Sequence, residues 1–251
     1  MTTVDPRVHA IPSDQVRLET RPRPSFATMA KAYVALTKPR IIETLLVTTV
    51  PTMILAAGGM PSVVTMVMTV IGGTLAAGSA NALNCYFDRD IDVVMNRTAH
   101  RPLATGVIPP RHAMVFSVLL GVLSIVLLAV VVNPLAAAMA LAAILFYVFV
   151  YTPLKPVTTL NTAIGAVPGA LPPVIGWSAM TGTIDRGALV LFLIVFFWQV
   201  PHFLAIAWMY REDYARAGLK MLPTGDASGV MTSRQMTLYC VALLPISLLP
   251  V

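Results

Sequence analysis

The feature that most constrains the fold is a series of long apolar runs that are almost free of charge. Seven can be placed, at residues 41–59, 62–86, 112–132, 134–151, 160–180, 188–210 and from 237 onward. A helix needs about 20 apolar residues to cross a bilayer core, and these runs are far longer than membrane β-strands. Only 11% of the residues are charged, against about a quarter in soluble domains. We therefore predict an all-α, polytopic membrane helical bundle with about seven transmembrane helices in this chain.

The basic residues predict how the bundle is oriented. All but one of the 17 Lys and Arg residues lie in the N-terminal segment or in the loops after the second, fourth and sixth runs, and the exception is Arg186. Because cytoplasmic loops carry an excess of Lys and Arg, we expect the N-terminus and these three loops on the cytoplasmic side. The formal net charge of +6 then reflects topology and gives no reason to expect nucleic-acid binding.

The two ends of the chain differ from its apolar middle. Residues 1–35 are rich in Pro and polar side chains, without a signal-peptide pattern. They predict a disordered tail that precedes a membrane domain at residues 36–251. The last apolar run is short for a span, which favours a domain truncated at its C-terminus over a chain that ends in a partial helix.

A charged stretch follows the second run. Residues 81–106 read NALNCYFDRDIDVVMNRTAHRPLATG, and if the helix continues, Asn84, Asp88 and Asp92 form one stripe at i, i+4 and i+8. Two carboxylates at that spacing repel each other by roughly 2–3 kcal/mol at an effective dielectric of 20. Mg²⁺ relieves this repulsion and favours one or two carboxylates together with phosphate oxygens. Arg97 and Arg101 follow at a spacing suited to anionic oxygens.

The helix that carries this stripe is expected in the middle of the bundle. Residues 72–80 read GGTLAAGSA, and such small side chains permit close helix packing in membranes. A central helix should end at a cavity. The alternative for an isolated acidic run is a solvated helix end with internal ion pairs.

A second polar cluster stands four spans later, in REDYARAGLKMLPTGD (211–226). Asp213 is its candidate metal ligand, and Arg211 and Lys220 are candidates for binding a diphosphate. Because both clusters share the cytoplasmic side, they could bind two Mg²⁺ ions and a diphosphate between them. Metals and cations neutralise a leaving diphosphate while the membrane accommodates its apolar tail. The pair of clusters therefore predicts ionisation of an allylic diphosphate.

Several side chains of the later runs are candidates for the wall of the prenyl or acceptor pocket. Aromatic faces stabilise carbocations, histidines within spans are often functional, and heme iron commonly takes a His ligand. The fifth run has three prolines, at 168, 172 and 173, which predict a broken helix of the kind that lines a cavity. Ordinary packing and a neutral, hydrogen-bonded histidine are the alternatives. The candidates are Tyr151, Asn161, Trp198, His202 and Phe203.

These motifs together resemble the UbiA-type intramembrane prenyltransferases, whose first motif, NxxxDxxxD, is Asn84-CYF-Asp88-RDI-Asp92 here. Within that superfamily the chain is similar to the protoheme IX farnesyltransferase (heme O synthase) branch. The matching blocks follow the order and spacing of that branch. They are LTKPRIIETLLVTT (36–49), GGTLAAGSANALNCYFDRDIDVVMNRTAHRPLATG (72–106), FYVFVYTPLK (146–155), NTAIGAVPGALPPVIGW (161–177) and WQVPHFLAIAWMYREDYARAGLKMLP (198–223).

The resemblance implies a nine-helix bundle, so that two helices are absent from this chain, and it implies a reaction. Farnesyl diphosphate and heme B give heme O and diphosphate: a vinyl group of the porphyrin attacks the farnesyl cation, and water completes a hydroxyethylfarnesyl group. Heme B is thus a substrate and Mg²⁺ the cofactor. The resemblance also implies the plasma membrane as location and heme A synthase or a heme-copper terminal oxidase as protein partners.

Site residues follow from the same resemblance. Asn84, Asp88 and Asp92 become the Mg²⁺–diphosphate ligands, and the diphosphate contacts are Arg97, Arg101 and Lys155. Two departures stand out. The second acidic motif of the superfamily, DxxxD, reads YREDYARAG here and leaves only Asp213 for a second metal ion. The chain also has Lys-Pro at 155–156, where the family usually has Lys-Arg.

Other functions are compatible with parts of the pattern. A sister prenyltransferase would use another aromatic acceptor, such as a quinone precursor or a chlorophyll-type ring. A transporter would also carry intramembrane polar residues, but here the charges cluster at one membrane face instead of the midplane. A non-catalytic assembly factor for a heme oxidase is the third alternative.

Overall fold

Helices form nearly all of the structure, a computed structural model in which residues 25–249 are described. That part of the chain contains no β-strand. Its helices are α1 (Phe26–Thr37), α2 (Pro39–Ala56), α3 (Val63–Phe87), α4 (Arg89–Val94), α5 (Pro110–Leu127), α6 (Pro134–Leu145), α7 (Thr152–Leu154), α8 (Asn161–Gly169), α9 (Leu171–Thr181), α10 (Arg186–Met209), α11 (Arg211–Arg216), α12 (Leu222–Gly225) and α13 (Val230–Ser247). Wider π-helical turns extend α5 over Leu128–Val132 and join α6 to α7 over Phe146–Tyr151. The predicted all-α class is confirmed.

Six helical segments are long and apolar enough to cross a membrane. They are Pro39–Ala56, Val63–Phe87, Pro110–Val132, Pro134–Leu154, Asn161–Thr181 and Arg186–Met209, and they match the first six predicted runs. The helix at the seventh predicted run is α13. It begins at Val230 instead of residue 237, and its first half, VMTSRQMTL, contains most of its polar residues. Because these polar residues lower its hydropathy, α13 is not among the six, and the predicted count of seven spans is not confirmed.

A helix, α1, begins at Phe26, inside the stretch 1–35 that the sequence predicts to be a disordered tail. Ser25 caps this helix: its Oγ accepts a hydrogen bond from the amide of Thr28 at 3.2 Å. Ala32 and Leu36, one turn apart, are buried. A capping serine and apolar residues at i and i+4 both stabilise a helix. The prediction for residues 1–24 lies outside the described residues.

α3 lies at the centre of the bundle, as its small residues predicted. It contacts α1, α2, α5, α6 and α9. At Gly72 of α3, a Cβ would lie 2.6 Å from the side chain of Leu128, which belongs to the π-helical extension of α5. Glycine therefore allows α3 and the end of α5 to approach this closely. The hydroxyl of Ser124 on α5 donates a hydrogen bond to the Gly72 carbonyl oxygen at 2.7 Å. Other helices therefore surround α3 up to its acidic end.

The fifth span is broken, as its prolines predicted. α8 ends at Gly169 and α9 begins at Leu171, with Pro172 in its first turn, where the missing N–H of proline costs no helical hydrogen bond. A Cβ at Gly169 would collide with the Gln199 side chain of α10. α10 therefore packs directly against the break.

Candidate active site

The stripe of Asn84, Asp88 and Asp92 forms as predicted, because the helical backbone continues from α3 into α4. The Asp88 amide donates to the Asn84 carbonyl oxygen at 2.9 Å, and the Asp92 amide donates to the Asp88 carbonyl oxygen at 2.7 Å. All three side chains are buried. Asp90 points to the other side, where it is exposed and lies 3.7 Å from the Arg89 guanidinium. Buried carboxylates such as those of the stripe need compensating cations.

Each member of the stripe is paired with a cation from another segment of the chain. The segments are the junction before α2, the turn after α7 and the loop between α4 and α5. The pairs are Lys38 Nζ with Asn84 Oδ1 at 2.9 Å, Lys155 Nζ with Asp88 Oδ2, and Arg101 Nη1 with both carboxylate oxygens of Asp92 at 2.8 Å. Three segments far apart in sequence thus converge on the end of α3 and on α4.

Lys38 is a site residue that the sequence analysis missed. It joins α1 to α2 with φ 55° and ψ 65°, and it is the only non-glycine residue at positive φ in the described part of the chain. A left-handed conformation costs an L-residue roughly 1–2 kcal/mol, and such strain clusters at functional sites. The available signal was a lysine directly before Pro39, at the start of an apolar run. In the sequence this lysine is otherwise one of the basic residues that predict the orientation of the bundle.

The π-helical turn after α6 places Lys155. In this turn the Thr152 hydroxyl donates to the Tyr147 carbonyl oxygen at 2.9 Å and accepts from Asn84 Nδ2 at 3.1 Å. Lys155 follows, buried, with its Nζ 4.9 Å from the centroid of the Tyr151 ring. π-helical turns within α-helices are frequent at functional sites. Here the turn brings a hydroxyl, an aromatic ring and an ammonium group to the stripe.

Asn161 joins the two predicted clusters. It is fully buried, and its Nδ2 lies 3.3 Å from the Lys155 carbonyl oxygen, 2.7 Å from that of Thr158 and 2.9 Å from that of Lys220. The Lys220 amide also donates to the Lys155 carbonyl oxygen at 2.9 Å. The segment after α11 is therefore fixed against the segment that carries Lys155, and both clusters belong to one site.

The surroundings shift the pKa values of the two lysines in opposite directions. Burial lowers the pKa of Lys38 to about 8. Burial also acts to lower the pKa of Lys155, but Tyr151 and the Asp88 carboxylate raise it more, so that it lies above the ordinary lysine value. The difference follows from the partners, because Lys155 faces a carboxylate and Lys38 a neutral amide oxygen.

The carboxylate of Asp213 is bound by the loop that carries the arginines. Its Oδ1 accepts from the Asn96 amide at 3.0 Å and its Oδ2 from the Arg97 amide at 3.1 Å, while Arg216 pairs with Oδ1. The Arg97 amide, together with the Asn96 amide and the Arg216 guanidinium, holds the pKa of Asp213 below its usual range in spite of burial. The predicted ligand of a second metal ion thus already has three hydrogen-bond donors.

Arg97 is exposed and is oriented by aromatic side chains, without a carboxylate partner among the described residues. Its Nη2 donates to the Tyr214 hydroxyl at 3.0 Å, and its guanidinium carbon lies 5.3 Å and 5.6 Å from the ring centroids of Tyr210 and Tyr214. Within residues 25–249, it forms no ion pair with a carboxylate. A guanidinium held in this way is suited to phosphate oxygens.

The other two predicted diphosphate contacts are placed differently. The Arg211 guanidinium lies over the Trp208 ring, 4.5 Å from its centroid. The Lys220 side chain is exposed, although its backbone joins the site. Their role as diphosphate contacts stays a prediction.

Three of the predicted pocket residues lie on an exposed face of α10. The rings of Trp198 and His202 stack at 5.1 Å, and Phe203 contacts His202 at 5.6 Å between ring centroids. Trp198 is 47% and Phe203 41% exposed. Of the predicted pocket residues, only Tyr151 and Asn161 contact Lys155, and the role of the α10 residues stays a prediction.

The donor set of the stripe fits a divalent ion that is shared with phosphate oxygens. In the described part of the chain, no group of three or more His, Cys, Asp or Glu side chains is placed to hold an ion by itself. Asp88, Asp92 and Asn84 supply oxygen atoms, which Mg²⁺ prefers, but too few for its octahedral shell. Mg²⁺ usually completes such a shell with water and substrate phosphates.

The profile of the UbiA prenyltransferase family matches residues 45–251. This chain belongs to the UbiA prenyltransferase family. Among its relatives is a protoheme IX farnesyltransferase of Kineococcus radiotolerans, which is 48% identical over 99% of this chain and 75% of its own length. Another, of Salinispora tropica, is 55% identical over 80% of this chain and 63% of its own length. In the second alignment the chain therefore spans less than two thirds of its relative.

The fold agrees with membership in the UbiA family. A solved structure described as a UbiA homolog from Archaeoglobus fulgidus bound to GPP and Mg2+ matches with a TM-score of 0.66 at 18% identity, over 86% of this chain and 76% of its own. Together with the six long apolar segments, the family identifies a multi-pass membrane protein.

Proposed function

We propose that this UbiA family member transfers a farnesyl group from farnesyl diphosphate to a vinyl group of heme B, which gives heme O and diphosphate. The observation that carries the proposal is the buried stripe of Asn84, Asp88 and Asp92, each paired with its own cation. The stripe supports the use of a diphosphate substrate. The choice of farnesyl donor and heme acceptor is supported by relatives named protoheme IX farnesyltransferase at 48% and 55% identity.

The cations of the site bind the diphosphate. Asp88 and Asp92, with Asn84, would hold a divalent ion, which supplies positive charge to the leaving group when bound. Arg97, whose charge is uncompensated, donates directly to phosphate oxygens. Lys155, now bonded to the Asp88 carboxylate, is a flexible ammonium group that can share its three donors with a phosphate oxygen.

The reaction then needs charge stabilisation and little else from the protein. The C1–O bond of farnesyl diphosphate breaks, and its electron pair leaves with the diphosphate. The terminal vinyl carbon of heme B forms the new C–C bond with C1, water adds its hydroxyl group to the other vinyl carbon, and one proton is released. Cations fixed in a buried site stabilise the leaving charge more strongly than water does.

Aromatic rings beside Lys155 support a site for the carbocation. Tyr147 and Tyr151, which precede Lys155, have ring centroids 5.2 Å apart. Their faces can stabilise an allylic cation beside the diphosphate. Gly165 of α8 permits this arrangement, because a Cβ there would lie 2.6 Å from the Tyr151 ring.

The cellular setting follows from the charge pattern. The loops that carry Arg97 and Lys155 are basic, which favours the cytoplasmic face of a plasma membrane. Heme O made there would be available to heme A synthase or to a heme-copper terminal oxidase in the same membrane.

The test is product formation by the purified protein in lipid nanodiscs. Incubated with heme B, farnesyl diphosphate and Mg²⁺, it should form heme O, detected by mass spectrometry, and a chelator should abolish the product. Release of diphosphate with a phenolic acceptor, and none with heme B, would contradict heme B as the acceptor. The assignment of the diphosphate site would still hold. Absence of diphosphate release with either acceptor would contradict the prenyl transfer itself.

A further inference from the structure

We propose that the diphosphate site works with a single divalent cation, and that Asp213 is a positioning residue for the arginine loop (residues 95–101) and not a ligand of a second metal ion. The inference rests on the proposed function, because it concerns the same diphosphate site. It replaces the two ions expected from the sequence with one.

The first reason is that the Asp213 carboxylate is already occupied. The adjacent amides of Asn96 and Arg97 donate to its two oxygens at 3.0 Å and 3.1 Å, and Arg216 donates a third hydrogen bond. A metal ion would have to compete with all three donors.

The arginine loop is attached at both ends, and the bonds to Asp213 form the attachment nearest to Arg97. The beginning of the arginine loop is fixed to α11 through Asp213. Its end is fixed to α4, because Arg101 pairs with both oxygens of Asp92 and the Thr98 hydroxyl donates to the Asp92 carbonyl oxygen at 3.0 Å. Arg97 lies between these two attachments. Without Asp213, the beginning of the loop would lose both bonds from its backbone amides and keep only side-chain contacts, such as that of Arg97 with Tyr214.

The second reason is the net charge of the site. Three cationic side chains contact a buried stripe that contains only two carboxylates, and the exposed Arg97 adds a further positive charge outside it. A diphosphate with one Mg²⁺ is still an anion and complements this cluster. A second Mg²⁺ would add positive charge to a buried site that is already cationic, which is unfavourable at low dielectric. The lysines thus supply the charge that a second metal ion would bring.

The experiment counts bound Mn²⁺ by electron paramagnetic resonance. The protein in nanodiscs is mixed with Mn²⁺ and farnesyl S-thiolodiphosphate, an analogue whose bridging sulfur slows cleavage at C1. We expect one Mn²⁺ per chain, one still in Asp213→Asn, and binding weakened more than about tenfold in Asp88→Asn. Two Mn²⁺ ions per chain, one of them lost in Asp213→Asn, would overturn the inference. No Mn²⁺ bound by the unmodified protein would instead contradict the proposed function, and the inference with it.

Hydrogen exchange tests the positioning role without metal or substrate. In Asp213→Asn, the amides of Asn96 and Arg97 should exchange at least about tenfold faster, because each loses a charge-assisted hydrogen bond. Glu212→Gln is the matched control, since this neighbouring carboxylate is exposed, and it should leave both amides unchanged. Unchanged exchange in Asp213→Asn would overturn the positioning role. Exchange of the α3 amides reports whether the Asp213→Asn variant is folded. If it is not, the number of Mn²⁺ ions bound by the unmodified protein still tests the proposal of a single cation.

Discussion

The two acidic clusters look alike in the sequence, yet different groups satisfy their carboxylates. In the first cluster, Asp88 and Asp92 accept from side-chain cations, Lys155 and Arg101. In the second, Asp213 accepts from two backbone amides and from one arginine of its own helix. Asp88, Asp92 and Asp213 are all buried, so burial does not distinguish them.

This difference indicates which carboxylates can exchange their hydrogen-bond donors for a metal ion. A lysine or arginine side chain can rotate from a carboxylate to a phosphate oxygen, and the carboxylate it leaves becomes free for a metal ion. A backbone amide cannot do so unless its loop moves. This difference is the basis for the proposal that the first cluster binds the ligand and that the second holds the first in place.

The largest effect is expected for Asp88→Asn. The substitution removes one of the two carboxylates that would hold the divalent ion, and it leaves the buried Lys155 ammonium without its anionic partner. Heme O formation should fall by about 10³-fold, since a bound metal ion stabilises transition-state charge by several kcal/mol and each 1.36 kcal/mol of activation free energy corresponds to a factor of ten in rate. Asp90→Asn is the matched control, because Asp90 is exposed two residues away, and its turnover should stay within about twofold. A fully active Asp88→Asn protein would contradict the assignment of ligand binding to the first cluster.

Arg101→Gln should have the next largest effect. Asp92 is 3% exposed and would keep no cation, because both of its carboxylate oxygens bond to Arg101. We expect turnover to fall by about 10²-fold and the melting temperature to drop, as is usual when one member of a buried pair is removed. Arg111→Gln, at an exposed position of α5, is the control for lost charge. Equal effects of the two substitutions would mean that the pair with Asp92 contributes little.

Much of this architecture follows from patterns that the sequence displays openly. Apolar runs of bilayer length predicted six of the helices, and the i, i+4, i+8 spacing predicted the stripe of Asn84, Asp88 and Asp92. The prolines predicted the break in the fifth span, and the small residues predicted that α3 is central. In each case one local rule is sufficient, because the length, spacing or residue type can be read within a single helix.

What the sequence could not provide are the partners that tertiary packing brings together. Lys38 reaches Asn84 only because it takes a left-handed conformation, and the π-helical turn that places Lys155 has no recognised sequence signal. The pairing of Asp213 with amides of residues more than 100 positions earlier depends on how α11 packs against the arginine loop. The exposure of Trp198 on α10 likewise depends on which helices cover that face.

Lys155→Met should change two affinities in opposite directions. Without the competing ammonium group, the Asp88 carboxylate should bind Mn²⁺ alone about tenfold more tightly, whereas the diphosphate analogue should bind about tenfold more weakly because a charged donor is lost. Titrations of Mn²⁺ and of the analogue, each in the absence of the other, measure both. Lys31→Met is the control, because its side chain is exposed on α1, and neither affinity should change by more than about twofold. Weaker binding of Mn²⁺ alone in Lys155→Met would contradict an exchange of partners at Asp88.

The smallest effect concerns pH and the second cluster. Because the pKa of Asp213 is lowered, its bonds to the arginine loop are complete above the ordinary Asp value and are lost as the pH falls through the folded-state pKa. Protection of the Asn96 and Arg97 amides, corrected for intrinsic exchange, should therefore stay constant from neutral pH down to about pH 4 and decline below it. In Asp213→Asn, protection should be low at every pH.

Asp226 gives this experiment an internal standard. Its carboxylate accepts from the Thr232 amide at 2.7 Å, and that bond lowers its pKa in the same direction. The Thr232 amide should lose protection below about pH 4 in the unmodified protein and in Asp213→Asn alike. If the arginine loop lost protection already near pH 6 while Thr232 did not, a group other than Asp213 would hold the loop. If both sites decline together only in acid, carboxylates bound by backbone amides stabilise the loop, and the second cluster acts as support for the first.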